Sequence, residues 1–118
     1  QDLPFNDALL ERLKSNDPTL TALQLYGKKI GAEGRVSKLV EALTNNTSLL
    51  GLNLDFNDIG EEGAKGLSTL LESNTTLQEL ILYSNNIGDG GAAHLAKSLK
   101  ANSTLQDLEL HANYIGHE

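Results

Sequence analysis

A chain of 118 residues with 24 Leu, five aromatic residues and no Trp, Met or Cys has to build one aliphatic core, and the missing Cys excludes disulfide frameworks, thiolate zinc sites and thiol chemistry. A formal charge of -7, from 9 basic and 16 acidic residues, has the wrong sign for holding nucleic acid or an anionic lipid surface. No apolar run is long enough to span a membrane, and the opening QDLPFNDALL lacks the basic start and apolar stretch of a signal peptide, so the expected setting is cytoplasmic.

In chain order, residues 5 to 15 read as a helix. Asn6 is its N-cap, Phe5 and Leu10 are spaced as a hydrophobic staple, and Leu9 and Leu13 point inward. Asp17-Pro18 stops it, since the residue before a proline is pushed out of the helical region. From Leu20 onward four segments align: LTALQLYGKKIG from Leu20, LLGLNLDFNDIG from Leu49, LQELILYSNNIG from Leu77 and LQDLELHANYIG from Leu105. Their starts are 29, 28 and 28 residues apart, and each obeys L-x-x-L-x-L-x-x-(N or K)-x-I-G.

Apolar spacing changes character inside each unit. The pairs Leu23/Leu25, Leu52/Leu54, Leu80/Leu82 and Leu108/Leu110 are two apart, which puts each pair on one side of a short strand. Val36/Leu39/Leu43, Ala64/Leu67/Leu71 and Ala92/Leu95/Leu99 are three and four apart, a helical stripe. Gly31, Gly60 and Gly88 mark the passage from strand to helix, and Asn-Thr or Asn-Ser stretches mark the return. Asn74 and Asn102 are expected to end their helices with left-handed backbone angles.

A unit this small cannot bury its own leucines, so the units stack with parallel strands on one side and helices on the other. Helices are roughly 10 Å across and strands about 4.8 Å apart, so the stack curves with the strands inside. The expected fold is α/β: a right-handed α/β solenoid, a horseshoe with its sheet on the concave side and its helices on the convex side. It is expected to form a single domain over 1–118, with a cap at 1–19, repeats at 20–48, 49–76 and 77–104, and a partial repeat at 105–118. The start at Gln1 rather than Met, and the break at Gly116-His117-Glu118, suggest a processed product or a piece of a longer protein.

These segments resemble leucine-rich repeats, and the 28-residue period with a full helix resembles the ribonuclease-inhibitor-like subclass, which also includes NOD-like receptors, the Ran GTPase-activating protein and the tropomodulins. The stretch LLERLKSNDPTLTALQL, from Leu9, is similar to the segment by which tropomodulin-type actin-capping proteins lead into their repeats. The resemblance implies that Asn57, Asn85 and Asn113 are buried amides bonding the turns of successive units. Lys28 holds that position in the first unit and cannot accept a hydrogen bond. That turn, with its extra residue between Ile30 and Leu39, should therefore be built differently or be more exposed.

Alternation places Ala22, Gln24 and Tyr26 on the inner face, followed by Gly51, Asn53 and Asp55, then Glu79, Ile81 and Tyr83, then Asp107, Glu109 and His111. This face holds four carboxylates and no Lys or Arg. Gln24, Tyr26, Asn53, Asp55, Glu79, Ile81, Tyr83, Asp107, Glu109 and His111 are therefore the candidate partner-binding residues, for a protein with a basic surface.

No catalytic, metal or cofactor site is expected. His94, His111 and His117 share no ligand spacing, and no Ser sits in a recurring His and Asp arrangement. Asp55 to Gly60 begins like a calcium loop, but Ile59 stands where an oxygen ligand is needed and Gly66 replaces the closing Glu. Gly88-Asp89-Gly90-Gly91 lacks the Lys of a phosphate loop. The Asn-x-Ser/Thr triplets at Asn45, Asn46, Asn74 and Asn102 are products of the repeated turn.

The expected function is a non-catalytic protein-binding module. One alternative is a structural element that self-associates through the exposed last strand, where Leu108 and Leu110 have no following helix to cover them. The other is a regulator: actin-capping, GTPase-activating or enzyme-inhibiting.

Overall fold

The computed structural model describes residues 2–32 and 34–115. Strands and helices alternate after a first helix: α1 (Asp7–Lys14), β1 (Ala22–Gln24), α2 (Arg35–Leu43), β2 (Gly51–Asn53), α3 (Gly60–Ser73), β3 (Glu79–Ile81), α4 (Gly88–Leu99) and β4 (Asp107–Glu109). The four strands form one parallel sheet in chain order. Leu23, Leu52, Leu80 and Leu108 stand side by side across it, so each unit repeats the last without a register slip. This is the expected solenoid, with the sheet inside and the helices outside.

The strand leucines and the helix stripes meet in a continuous core that includes Leu23, Leu25, Leu39, Leu43, Leu52, Leu54, Leu67, Leu71, Leu80, Leu82 and Leu95. Burial fades toward the last unit. Leu105, Leu108 and Leu110 are half-buried, and Leu99, expected inward, is 37% exposed. The physical reason is positional: among the described residues α4 is the last helix, so none stands beside it to cover the outer flank of Leu99.

At the first end, α1 is shorter than the 5–15 expected. Asn6 caps it by accepting from the Leu9 N–H at 3.0 Å, and Leu9, Leu10 and Leu13 close the core. Asp2 forms a parallel bridge to Gln24, and its carboxylate lies 3.4 Å from Lys28 Nζ. Strand β1 therefore has a partner on its outer edge, a closure that the leucine pattern alone does not reveal.

The link from α1 to β1 is tied by Asp17. Its carboxylate accepts from the Thr19 hydroxyl at 2.6 Å, the Thr19 N–H at 2.9 Å and Arg12 Nε at 2.7 Å. The Thr19 bonds, with Arg12 adding to them, lower its pKa to about 2. A carboxyl depressed in the folded state contributes stability that is fully present above its unfolded value of 3.8 and is lost as pH falls through the folded value. Acid titration of unfolding should therefore show a loss between about pH 4 and pH 2 that is shallower in Asp17→Asn. An identical slope in the variant would mean that these bonds do not hold the link.

Two asparagine ladders run through the stack, one at each end of the strands. In the first, Asn57 Oδ1 accepts from the N–H groups of Lys28 (2.8 Å) and Ile30 (3.1 Å) in the preceding unit, and its amide donates to the carbonyls of Leu25 and Leu54. Asn85 serves Asn57 and Ile59 in the same way, and Asn113 serves Asn85 and Ile87. Lys28 stands at the first turn of this ladder, and among the described residues no earlier turn lies beside it to be bonded by an amide. Its N–H is an end donor of the ladder, and its half-buried side chain turns to Asp2.

The second ladder corrects the expectation for Asn74 and Asn102. Neither residue is left-handed; Asn74 has φ -80° and ψ 127°. Asn74 Oδ1 accepts from the Thr76 and Leu77 N–H groups, and its amide donates to Leu43 O at 3.0 Å. Asn46 reaches Leu13 O and Asn102 reaches Leu71 O by the same geometry. The side chain closes the turn itself and needs an extended backbone to do so.

Apart from Asn16 after α1, with φ of 58°, the left-handed residues among those described lie instead in the turns that follow the strands. Gly60 and Gly88 have φ of +72° and +68°. Gly31 is required for a different reason: its N–H donates to Asn57 O at 2.9 Å, and a Cβ there would overlap the Asp58 carbonyl.

Candidate functional site

The inner face is ordered into rows by the sheet register. One row runs Ala22, Gly51, Glu79, Asp107 and the next Gln24, Asn53, Ile81, Glu109. Tyr26, Asp55, Tyr83 and His111 lie beyond the strand ends, in the turns. The register continues there through bonds from Gly27 N–H to Asp55 O, Phe56 N–H to Tyr83 O and Ser84 N–H to His111 O, so these four form a third row. All ten candidate residues thus lie on one continuous surface. Gln24, Tyr26, Glu79, Tyr83, Asp107 and His111 are exposed, and Asn53, Asp55, Ile81 and Glu109 are half-buried.

The charge is uneven. Glu79, Asp107 and Glu109 crowd the β3–β4 half, Asp55 stands alone in the third row, and β1 contributes only neutral side chains. The Glu79 carboxylate leans over Gly51, where a Cβ would meet its Oε1 at 3.3 Å. A groove of about 450 Å³ opens there, lined by Ala22, Leu50, Gly51, Gln78, Glu79 and Asp107 among others. His111 Nε2 lies 3.5 Å from Glu109 Oε1 at the edge of this charge.

Asp55 is held in place from both sides. Its N–H donates to Asn53 Oδ1 at 2.8 Å, and its Oδ1 accepts the Tyr83 N–H at 2.8 Å. This fixes the third row before any partner arrives, which reduces the ordering entropy lost on contact.

One residue escapes the alternation rule. Phe56 occupies a position that the period of two assigns away from the inner face, yet it is 44% exposed and its ring lies between two tyrosines. Ring centroids are 5.0 Å apart for Tyr26 and Phe56, and 5.4 Å for Phe56 and Tyr83. The period of two ends with the strand, and Phe56 has a left-handed φ of 58° that swings its side chain back toward the row. A Phe where the other units carry Gly27, Ser84 and Ala112 is the signal that marks it in the sequence.

His94 is half-buried on α4, distant in the chain from His111, and His117 lies outside the described residues. Among the described residues no group of three or more His, Asp or Glu is placed to hold a metal ion, and no helix is long and apolar enough to cross a membrane.

The TMOD/LMOD leucine-rich domain family model matches residues 6–115. Among solved structures, leiomodin-1 actin-binding site 2 superposes with a TM-score of 0.83 at 30% identity, over 89% of this chain and 61% of that one. The tropomodulin C-terminal domain of Caenorhabditis elegans superposes with a TM-score of 0.80 at 23% identity, over 90% of this chain and 64% of that one. The second match speaks to the fold alone, and the chain spans less than two thirds of either structure's length.

Proposed function

The chain belongs to the TMOD/LMOD leucine-rich domain family, and from that premise we propose that it is a non-catalytic module that binds actin through the acidic inner face of its sheet. The observation that supports this most is the likeness to a structure titled as an actin-binding site, at 30% identity over 89% of the chain. The surface suits such a role. It places four carboxylates and no Lys or Arg beside exposed Tyr26, Tyr83 and half-buried Ile81, so the carboxylates steer a basic patch and the larger side chains supply contact area. Of the regulator readings, family membership favours the actin-associated one, which also carries a cytoplasmic setting. We further assign the units to the ribonuclease-inhibitor-like subclass by their 28-residue period, and read 1–118 as one domain because the core runs unbroken from α1 to α4.

Co-sedimentation with filaments, together with titration of monomeric actin, tests the reading. Joint substitution of Glu79→Lys and Glu109→Lys should weaken capture at least tenfold, about 1.4 kcal/mol, and reduce its salt dependence while thermal unfolding stays in place. Failure of the unsubstituted chain to bind either form of actin overturns the partner. Undiminished capture by the charge-reversed chain overturns the face.

A second reading rests on the far end, where among the described residues β4 pairs with β3 alone and Leu99, Leu105, Leu108 and Leu110 are incompletely covered. An edge of this kind can add a strand from a second copy. Light scattering over a concentration series detects this as a mass that rises with concentration, and a constant monomer mass rejects it.

A further inference from the structure

We propose that the strip formed by Tyr26, Phe56 and Tyr83 is a seat for an arginine or lysine side chain of a basic partner segment. The inference deepens the inner-face reading above and rests on it for the location of the partner, but its chemistry can be tested apart from actin.

The first argument is the misfit of Phe56. In the turn after each strand, the chain takes a left-handed residue at the position held by Gly27, Phe56, Ser84 and Ala112. Small residues satisfy that turn in three units, and a bulky aromatic is disfavoured there. Phe56 is not retained for burial either, since it is 44% exposed. A residue that opposes the local backbone preference without entering the core is the kind of departure expected where a surface has a task.

The second argument is continuity. The three rings touch in sequence, at 5.0 Å and 5.4 Å between centroids, and with exposures of 58%, 44% and 41% they form a single apolar strip across three units. Exposed aromatics in contact with one another, on backbone held by the Asp55 and Asn85 bonds, are the anchors that interfaces favour.

The third argument selects the occupant. Asp55 lies between the two tyrosines in the third row, and the adjoining inner face contributes Glu79, Asp107 and Glu109 without a Lys or Arg among its twelve residues. Lys29 and Asp58 share with Phe56 a shallow depression of about 280 Å³ beside the strip, so that flank holds both signs. Aromatic faces attract a cation placed within about 6 Å of the ring centroid, and neighbouring carboxylates add to the attraction. The same chain already makes this contact internally, with the Arg35 guanidinium carbon 5.8 Å from the Phe5 centroid.

The test uses the full chain and three synthetic nine-residue peptides of alternating glycine with arginine, citrulline or norleucine, followed by amide and aromatic NMR shifts. Citrulline keeps the shape of arginine without its charge, and norleucine keeps only the apolar stem. The arginine peptide should shift Tyr26, Phe56, Tyr83 and Ser84, with at least tenfold weaker binding of the other two. Phe56→Leu, which keeps apolar bulk but removes the ring face, should weaken arginine-peptide binding at least fivefold. Phe56→Asn, suited to the left-handed turn, should also lose binding while its unfolding temperature stays within a few degrees or rises. Equal binding of the norleucine or citrulline peptide overturns the proposal, as do shifts confined to Glu79, Asp107 and Glu109 or a large loss of stability in Phe56→Asn. Binding of the arginine peptide at the strip by a chain that ignores actin would sustain this proposal and sink the actin reading. Actin capture unaffected by Phe56→Leu, with no discrimination among peptides, would do the reverse.

Discussion

Replacing Asn85 by Ala should lower the midpoint of thermal unfolding by about 15 °C, because in a domain of this size each kcal/mol moves the midpoint by roughly 4 °C. Asn85 is fully buried at the centre of the first ladder. Its Oδ1 accepts the N–H groups of Asn57 and Ile59, and its amide donates to Leu54 O and Tyr83 O. Alanine removes all four bonds and leaves two backbone donors with no replacement in a dry interior. A buried donor without a partner costs about 1–3 kcal/mol, so a loss near 4 kcal/mol is expected, a large share of the roughly 5–15 kcal/mol by which domains are stable. Calorimetry on the pure chain checks this, with Asn86→Ala as the control. Asn86 is exposed, and among the described residues its side chain bonds the Asp58 carboxylate; even with the cost of placing Ala at its left-handed φ of 57°, about 1–2 kcal/mol, its loss should stay well below that of Asn85. Equal effects for the two variants would mean that the ladder does not hold the units together.

Truncating Leu80 and Leu108 to Ala separates the repeat position from its surroundings. The two residues are paired neighbours in the sheet and occupy the same place in the repeat motif. Leu80 is completely buried between units on both sides, whereas Leu108 is half-buried on the last strand. Deleting a buried Leu side chain removes its transfer energy and leaves a cavity that its neighbours only partly fill, so Leu80→Ala should cost about 3–5 kcal/mol. Leu108→Ala should cost roughly 1–2 kcal/mol, since part of its surface already meets water and the open end can relax. Urea unfolding reads both numbers. Equal losses would contradict a core that thins toward β4.

Phe56 shows where the two kinds of information part. The strand rule, period two, placed Tyr26, Asp55, Tyr83 and His111 correctly on one face, because the register of the parallel sheet carries on through the turn bonds. The same rule sent Phe56 elsewhere, because it assumes extended backbone and Phe56 is left-handed. Asn74 failed in the opposite sense. Its place at the end of a helix suggested a left-handed cap, but the bonds that determine its conformation come partly from Leu43 of the preceding unit, 31 residues away. Leu99 matched its stripe and still lies exposed, since burial depends on which helix stands beside it.

The 28-residue recurrence and the shift of apolar spacing from two to three and four were enough to determine the stacked α/β solenoid, the face the strand leucines take and the sign of charge on the inner surface, because each depends on backbone periodicity that a sequence displays directly. Only the folded chain decided that Asp2 closes the first edge, that two amide ladders bind the units, and that Phe56 joins two tyrosines into one exposed strip. Those features depend on contacts between neighbouring units and on dihedral angles in turns, where no period exists to be read.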